Sequence, residues 1–189
     1  MFGAAADAAA SKRMIAVARD NGVNFIDTAD TYVGGESERI VGGAIKGDRD
    51  RWILATKAGN DIDGVDGSGE LSRRWLSKAI DGSLTRLGLD YVDVYYCHID
   101  DGDTPLEESI AALCDIIAQS KVRWFAISNF RAWRHAEVVR VCDDLGVPRP
   151  IASQPYYNAF IACPKSRSFR PAPTMTWRWC PTARWRAAC

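Results

Sequence analysis

Residues 84–98 read Leu84-Thr-Arg-Leu-Gly88-Leu-Asp-Tyr91-Val-Asp-Val-Tyr-Tyr-Cys97-His98. The stretch joins the end of a helix to a strand. Leu76, Ile80, Leu84 and Leu87 recur at helical spacing, with Ser72 ahead as an N-cap candidate and Gly88 behind as a C′ stop. Tyr91–Cys97 then runs apolar, β-branched and aromatic, which suits a strand buried on both faces. A helix feeding straight into such a strand is half of a βαβ unit.

The same alternation holds on both sides. Further strand candidates are Val23–Ile26, Trp52–Thr56, Val122–Ile127 and Ile151–Gln154. Ala8–Asp20 and Ser37–Ile45 read as helices. Leu106, Ile110, Leu113 and Ile117 form another apolar stripe opened by Pro105, and Val138, Val141, Cys142 and Leu145 form one stopped by Gly146. Strand starts lie roughly 27–40 residues apart, a βαβ length. Strict alternation predicts an α/β fold with a parallel sheet. Two closures fit, a doubly wound open sheet and a (β/α)8 TIM barrel. No G-x-G-x-x-G or P-loop follows the first strand. Instead, Asp27, Tyr32, Lys57, His98, Ser128, Asn129 and Gln154 all fall at or just past the C-terminal ends of different strands, as a barrel active site requires.

Composition narrows the classes further. The chain has 189 residues, 47% hydrophobic and 25% charged, with formal net charge +0. That is a soluble globular composition and argues against a nucleic-acid binder. No apolar run is long enough to span a membrane and no signal peptide is visible, so no membrane partner is expected. Cys97, Cys114, Cys142, Cys163, Cys180 and Cys189 contain no C-x-x-C pair, and there are only 2 His. No metal site is expected, and free thiols suit a cytoplasmic protein.

Each site candidate has an ordinary alternative. Asp27 can cap the next turn, Tyr32 can pack, Lys57 can be a solvated rim lysine, and His98 can be a core histidine. Ser128-Asn129 can cap the helix beginning near Arg131. Together, however, they put an acid, a base, a phenol and an imidazole on one face. A phenol is a poor proton donor at neutral pH, with an ordinary pKa near 10. A lysine ammonium beside it favours the phenolate, and a carboxylate holds the ammonium in place. Such a group can protonate a carbonyl oxygen as hydride reaches the carbon. A barrel lysine also admits a Schiff-base aldolase or a phosphate-binding hydrolase.

Four motifs decide among these. Gly22-Val-Asn-Phe-Ile-Asp-Thr-Ala-Asp-Thr-Tyr32 with Gly34-Gly-Glu-Ser-Glu38, the stretch 84–98, Ala126-Ile-Ser-Asn-Phe130, and Ser153-Gln-Pro-Tyr-Tyr-Asn158 resemble the aldo-keto reductase signature in order and spacing. The resemblance covers roughly residues 10–160. It implies a (β/α)8 barrel and NADP-dependent reduction of a small carbonyl substrate. By matching motifs, Asp27, Tyr32, Lys57 and His98 look like the catalytic tetrad, with Tyr32 the acid. Ser128, Asn129 and Gln154 look like cofactor-binding contacts to the nicotinamide. The Gly-Gly-Glu-Ser-Glu loop looks more like the bacterial and potassium-channel β-subunit branch. That branch carries the alternative reading, a non-catalytic binding module on the same barrel.

The resemblance also has edges. Met1-Phe-Gly3 looks like the end of the first barrel strand, so a partial barrel with strands 2 to 6 is expected over residues 1–160. After Phe160 the pattern stops. Residues 161–189 hold six Lys/Arg, no Asp or Glu, and three of the 7 Trp, which predicts an aberrant, disordered tail. Cys180–Trp185 can be encoded TGC CCT ACA GCC CGC TGG, which shifted by two bases gives Pro-Tyr-Ser-Pro-Leu, like the family's seventh strand. Ile161–Ser166 can be encoded ATC GCA TGC CCG AAG TCG, which with one restored A gives Asn-Arg-Met-Pro-Glu-Val. A single-nucleotide deletion near codon 161 explains both, and a genuine Trp-rich tail for an anionic partner is the alternative. A barrel without strands 1, 7 and 8 has open edges, so this chain is expected to be a poor or inactive enzyme.

Overall fold

The computed structural model describes residues 1–156 and the backbone of 178–179. Helices α1 (Ala8–Asp20), α2 (Glu36–Ile45), α3 (Arg73–Leu87), α4 (Leu106–Ala118) and α5 (Ala132–Leu145) alternate with strands β1 (Phe25–Asp27), β2 (Ile53–Ala58), β3 (Val92–Cys97), β4 (Val122–Ser128) and β5 (Ala152–Gln154). The strands pair in chain order and all in parallel. They form a curled half-barrel, the partial (β/α)8 architecture expected. A two-residue strand, β6 (Arg178–Trp179), adds to the edge at Ala152–Ser153. The rest of the segment expected to be an unstructured tail lies outside the described residues.

Helix limits follow local chemistry. The Ser72 side chain accepts from the Trp75 amide and starts α3. Gly88 ends it in the left-handed region at φ 64°, and Gly146 ends α5 at φ 65°, conformations that cost a side-chain-bearing residue about 1–2 kcal/mol. Pro105 stands at the N-cap of α4, one position before the first helical turn where the sequence put it. The first strand begins later than expected. Val23 is 40% exposed and belongs to the turn after α1, where its amide binds Ala18 O. Trp52 also precedes its strand, and its indole Nε1 donates to Asp48 at 3.2 Å.

The sheet has two unlike faces. Its outer side packs on the helices through Leu54, Tyr95, Phe125 and Ile127 against residues such as Leu76, Ile80, Leu113 and Val138. Each such buried side chain contributes about 1.5–3 kcal/mol. The inner side carries a smaller cluster, Ala55, Val94, Tyr96 and Ala126. Helices α2 and α3 meet where Gly42 faces the Leu87 carbonyl, and a Cβ there would come within 1.9 Å of that oxygen.

At the N-terminal ends of the strands, Asp93 gathers β2, β3 and β4. It accepts from Arg49 at 2.6 Å and from the Leu54 amide at 2.9 Å, and pairs with Arg123 at 3.3 Å. The Tyr91 ring lies between the Arg49 and Arg123 guanidinium groups, 4.3 and 4.5 Å from its centre. This end of a barrel serves stability, and the opposite end is free for chemistry.

Candidate active site

Side chains alternate along a strand, so residues sharing parity with Ala55, Val94 and Ala126 face inward. Lys57 ends the inward row of β2 and Asp27 that of β1. Both therefore meet on the concave face. Lys57 Nζ donates to Asp27 Oδ2 at 2.7 Å, to Thr28 O at 2.8 Å and to the Tyr32 hydroxyl at 3.3 Å. Three acceptors match the three ammonium hydrogens. A buried charge needs this full set of partners, and Lys57 is completely buried. It is no rim lysine.

Tyr32 stands in the short turn after β1, partly buried, with Lys57 Nζ 4.8 Å from its ring centre. Its ring meets the His98 ring edge-on at 5.8 Å. His98 follows β3, and its amide donates to Ala58 O. Burial first, and the Lys57 charge second, push the imidazole down to about 3. It is neutral at physiological pH. Asn60 Nδ2 lies 3.1 Å from His98 Nδ1. An amide nitrogen only donates, so Nδ1 accepts and the remaining proton sits on Nε2.

The second group surrounds the ends of β4 and β5. Ser128 Oγ donates to Gln154 O at 2.8 Å, and the Asn129 amide donates to the same carbonyl at 3.2 Å. Asn129 Nδ2 donates to His98 O at 2.9 Å. Neither side chain caps α5, whose N-cap is Arg131 with no side-chain cap bond. Asn129 instead takes a left-handed φ of 59°. Gln154 Nε2 reaches Asp27 Oδ2 at 3.3 Å. Thus all seven residues singled out from the sequence belong to one connected polar face.

Several contributors escaped the sequence reading. Asn60 passes the criterion used for the others, a polar residue just past a strand end. Glu38 is fully buried and accepts from Thr56 Oγ1 at 2.5 Å and from Arg86 Nε at 2.6 Å. Helical spacing with Val41 and Ile45 marked it as inward-facing. Asp30 is 4% exposed, and no side chain among the described residues hydrogen-bonds its carboxylate. Burial, then Glu38, push it up to about 7.

A carboxamide-bearing cofactor fits the second group. Gln154 Oε1 is buried without a hydrogen-bond partner among the described residues, an acceptor suited to an amide N–H. Among the described residues, Asn129 Oδ1 and the lone pairs of Ser128 Oγ take no further hydrogen bond after these donations.

Comparison with known proteins now has geometry to attach to. The Aldo/keto reductase family profile matches residues 2–172. A "Probable voltage-gated potassium channel subunit beta" of Oryza sativa subsp. japonica is 36% identical over 162 residues, covering 84% of this chain and 49% of the relative. A protein of the same name from Arabidopsis thaliana is 35% identical over 173 residues, covering 90% and 52%. An "L-glyceraldehyde 3-phosphate reductase" of Escherichia coli O157:H7 is 36% identical over 146 residues, covering 74% and 42%. The chain spans about half the length of the curated relatives it matches. No helix among the described residues is long and apolar enough to cross a membrane.

Proposed function

Since the chain belongs to the aldo/keto reductase family, we propose that its site carries out NADP-dependent reduction of an aldehyde or ketone to an alcohol. The observation that carries this reading is the position of Lys57 Nζ, in contact with both Asp27 Oδ2 and the Tyr32 hydroxyl. A dinucleotide held by Ser128, Asn129 and Gln154 would supply the hydride. The chain's own residues do the rest. Tyr32 hands its hydroxyl proton to the carbonyl oxygen. Lys57, 3.3 Å away, compensates the negative charge left on the phenol oxygen. Asp27 keeps the ammonium aligned, and solvent returns the proton to Tyr32 afterwards. Neutral His98 directs its Nε2–H at the carbonyl oxygen and orients it. Ser128, Asn129 and Gln154 hold the carboxamide end of the cofactor through their free acceptors.

Turnover is expected to be slow. Among the described residues nothing pairs with the outer edge of β1, and Asp27, at the end of that strand, is 30% exposed in its side chain. Water there weakens the fields that Lys57 and Asp27 exert.

The test is a fluorescence titration of NADPH with the purified chain. A saturable change in wild type that Gln154→Leu loses supports the reading. Absence of any dinucleotide binding defeats it. The family relatives named as potassium channel β-subunits favour a second reading, a binding module on the same scaffold. That module is supported if dinucleotide binds but no carbonyl is reduced.

A further inference from the structure

Ser153 and Gln154 are neighbours on β5 and project to opposite faces of the sheet. Gln154 points into the concave side, where its Nε2 reaches Asp27 Oδ2 at 3.3 Å. Ser153, in register with Ile127, points outward to α5. The layer between sheet and helix is apolar there, with Ile127, Phe130, Val138 and Cys142 in the core cluster. Two polar side chains are nevertheless buried in it, Ser153 and His135. His135 shares the helical face of Val138 and Cys142. Its Nε2 stands 2.8 Å from Ser153 Oγ, and its Nδ1 stands 2.9 Å from Arg131 O.

The partners fix the protonation of this pair. Burial holds the His135 imidazole below its ordinary pKa, so the ring is neutral at pH 7 and carries one proton. A carbonyl oxygen only accepts, so that proton sits on Nδ1, and Nε2 accepts from the Ser153 hydroxyl. Such a pair adds little stability over two apolar side chains of the same shape, because removing both partners of a buried hydrogen bond is nearly neutral. What it adds is direction, which apolar contact lacks.

Strand β5 needs that direction. It is three residues long, pairs with β4 through Ser153 and Gln154, and takes only the two residues of β6 on its other side. Gln154 O is held by Ser128 Oγ and by the Asn129 amide, and the Ile151 amide is held by Phe125 O. All of these bonds end on main-chain atoms near the strand axis, where they have little leverage on the roll of the strand. That roll decides where the Gln154 side chain aims. The Ser153 hydroxyl stands off the axis on the opposite face, so a bond to it sets the roll. We propose that His135 is a positioning residue: its bond to Ser153 fixes the tilt of β5 and so holds the Gln154 side chain against Asp27. The consequence for the cofactor rests on the reading of Gln154 given above. The positional claim does not.

The experiment compares wild type with the double variant His135→Leu/Ser153→Val and with His135→Gln, in the full chain without cofactor. It reads the Gln154 side-chain amide signals by NMR, identified as the pair that Gln154→Leu deletes, together with the urea unfolding midpoint. The bond to the Asp27 carboxylate should shift the wild-type signals away from free glutamine values. In the double variant that shift should be lost while the midpoint holds, since two apolar groups replace a satisfied pair. His135→Gln offers Ser153 a carboxamide oxygen and should keep the shift. An intact shift in the double variant overturns the proposal, as do wild-type signals already at free values. So does a lowered midpoint in the double variant, which would mean that the pair serves packing, and so does loss of the shift in His135→Gln. Where wild type binds NADPH, the double variant should bind it roughly tenfold more weakly, through a less preorganised Gln154. A wild type that binds no dinucleotide defeats the reductase reading, and the amide shift and midpoint still decide the role of His135.

Discussion

Lys57 and Asp27 share one ion pair from opposite sides of the solvent boundary. Nζ and Oδ2 are 2.7 Å apart, with 1% of the lysine side chain exposed against 30% of the aspartate's. The two partners are therefore not equivalent. Loss of Asp27 strands an ammonium in the interior, whereas loss of Lys57 leaves a carboxylate that water reaches in part, with 30% of the side chain exposed and Oδ1 buried.

That asymmetry predicts unequal costs. Asp27→Ala should destabilise the chain by about 3–5 kcal/mol, the penalty of an uncompensated buried charge. Lys57→Met keeps the shape of the stem and should cost only about 1–2 kcal/mol. Urea unfolding of both variants measures the difference. Equal costs would mean that the ammonium is hydrated in the folded chain. Both variants should lose carbonyl reduction by about 10²-fold or more, since Lys57→Met removes the charge beside Tyr32 and Asp27→Ala removes the carboxylate that aligns it.

Asp30 makes stability fall as pH rises. Its folded value of about 7 stands above the ordinary 3.8. Below about pH 4 the carboxyl is protonated in both states and costs nothing. Between about pH 4 and 7 the unfolded chain gives up its proton first, so the folded state loses ground, and above pH 7 the loss is complete. Asp30→Asn removes this slope. It should stabilise the chain by about 2–4 kcal/mol at pH 8 and hardly at all at pH 4. Paired denaturant midpoints at the two pH values check it, and an equal gain at both would show that Asp30 does not carry the slope.

His98 depends on Asn60 for its tautomer. With Asn60 donating to Nδ1, the proton stands on Nε2. Asn60→Asp substitutes an acceptor of the same shape, which draws the proton to Nδ1. Long-range proton–nitrogen NMR should show the exchange directly. Carbonyl reduction should fall about tenfold or more through weaker carbonyl orientation, with little change in folding stability. A Nδ1-protonated ring in wild type would contradict the assignment.

Much of this was legible in the sequence, for identifiable reasons. Ser72 and Gly88 bound α3 because capping is chemistry local to a few residues. The candidates at strand ends came from placement alone, and Asp27, Lys57 and His98 lie at the C-terminal ends of β1, β2 and β3. What escaped depends on tertiary context. Glu38 stands at helical spacing from Val41, but the partners that make its burial tolerable, Thr56 and Arg86, lie on β2 and α3. Ser128-Asn129 reads as a cap from its neighbours, but the carbonyls of Gln154 and His98, distant in sequence, claim both side chains. No window of residues reveals that Val33 takes a left-handed φ of 54°.

The account stands or falls on proton donation by Tyr32. The direct measurement is a single turnover, mixing the purified chain with stoichiometric NADPH and excess aldehyde and following loss of the reduced nicotinamide in wild type and Tyr32→Phe. The predicted result is slow, aldehyde-dependent oxidation in wild type that falls by about 10²–10⁴-fold in the variant. Equal rates in the two proteins, or no aldehyde-dependent oxidation in wild type, would contradict it.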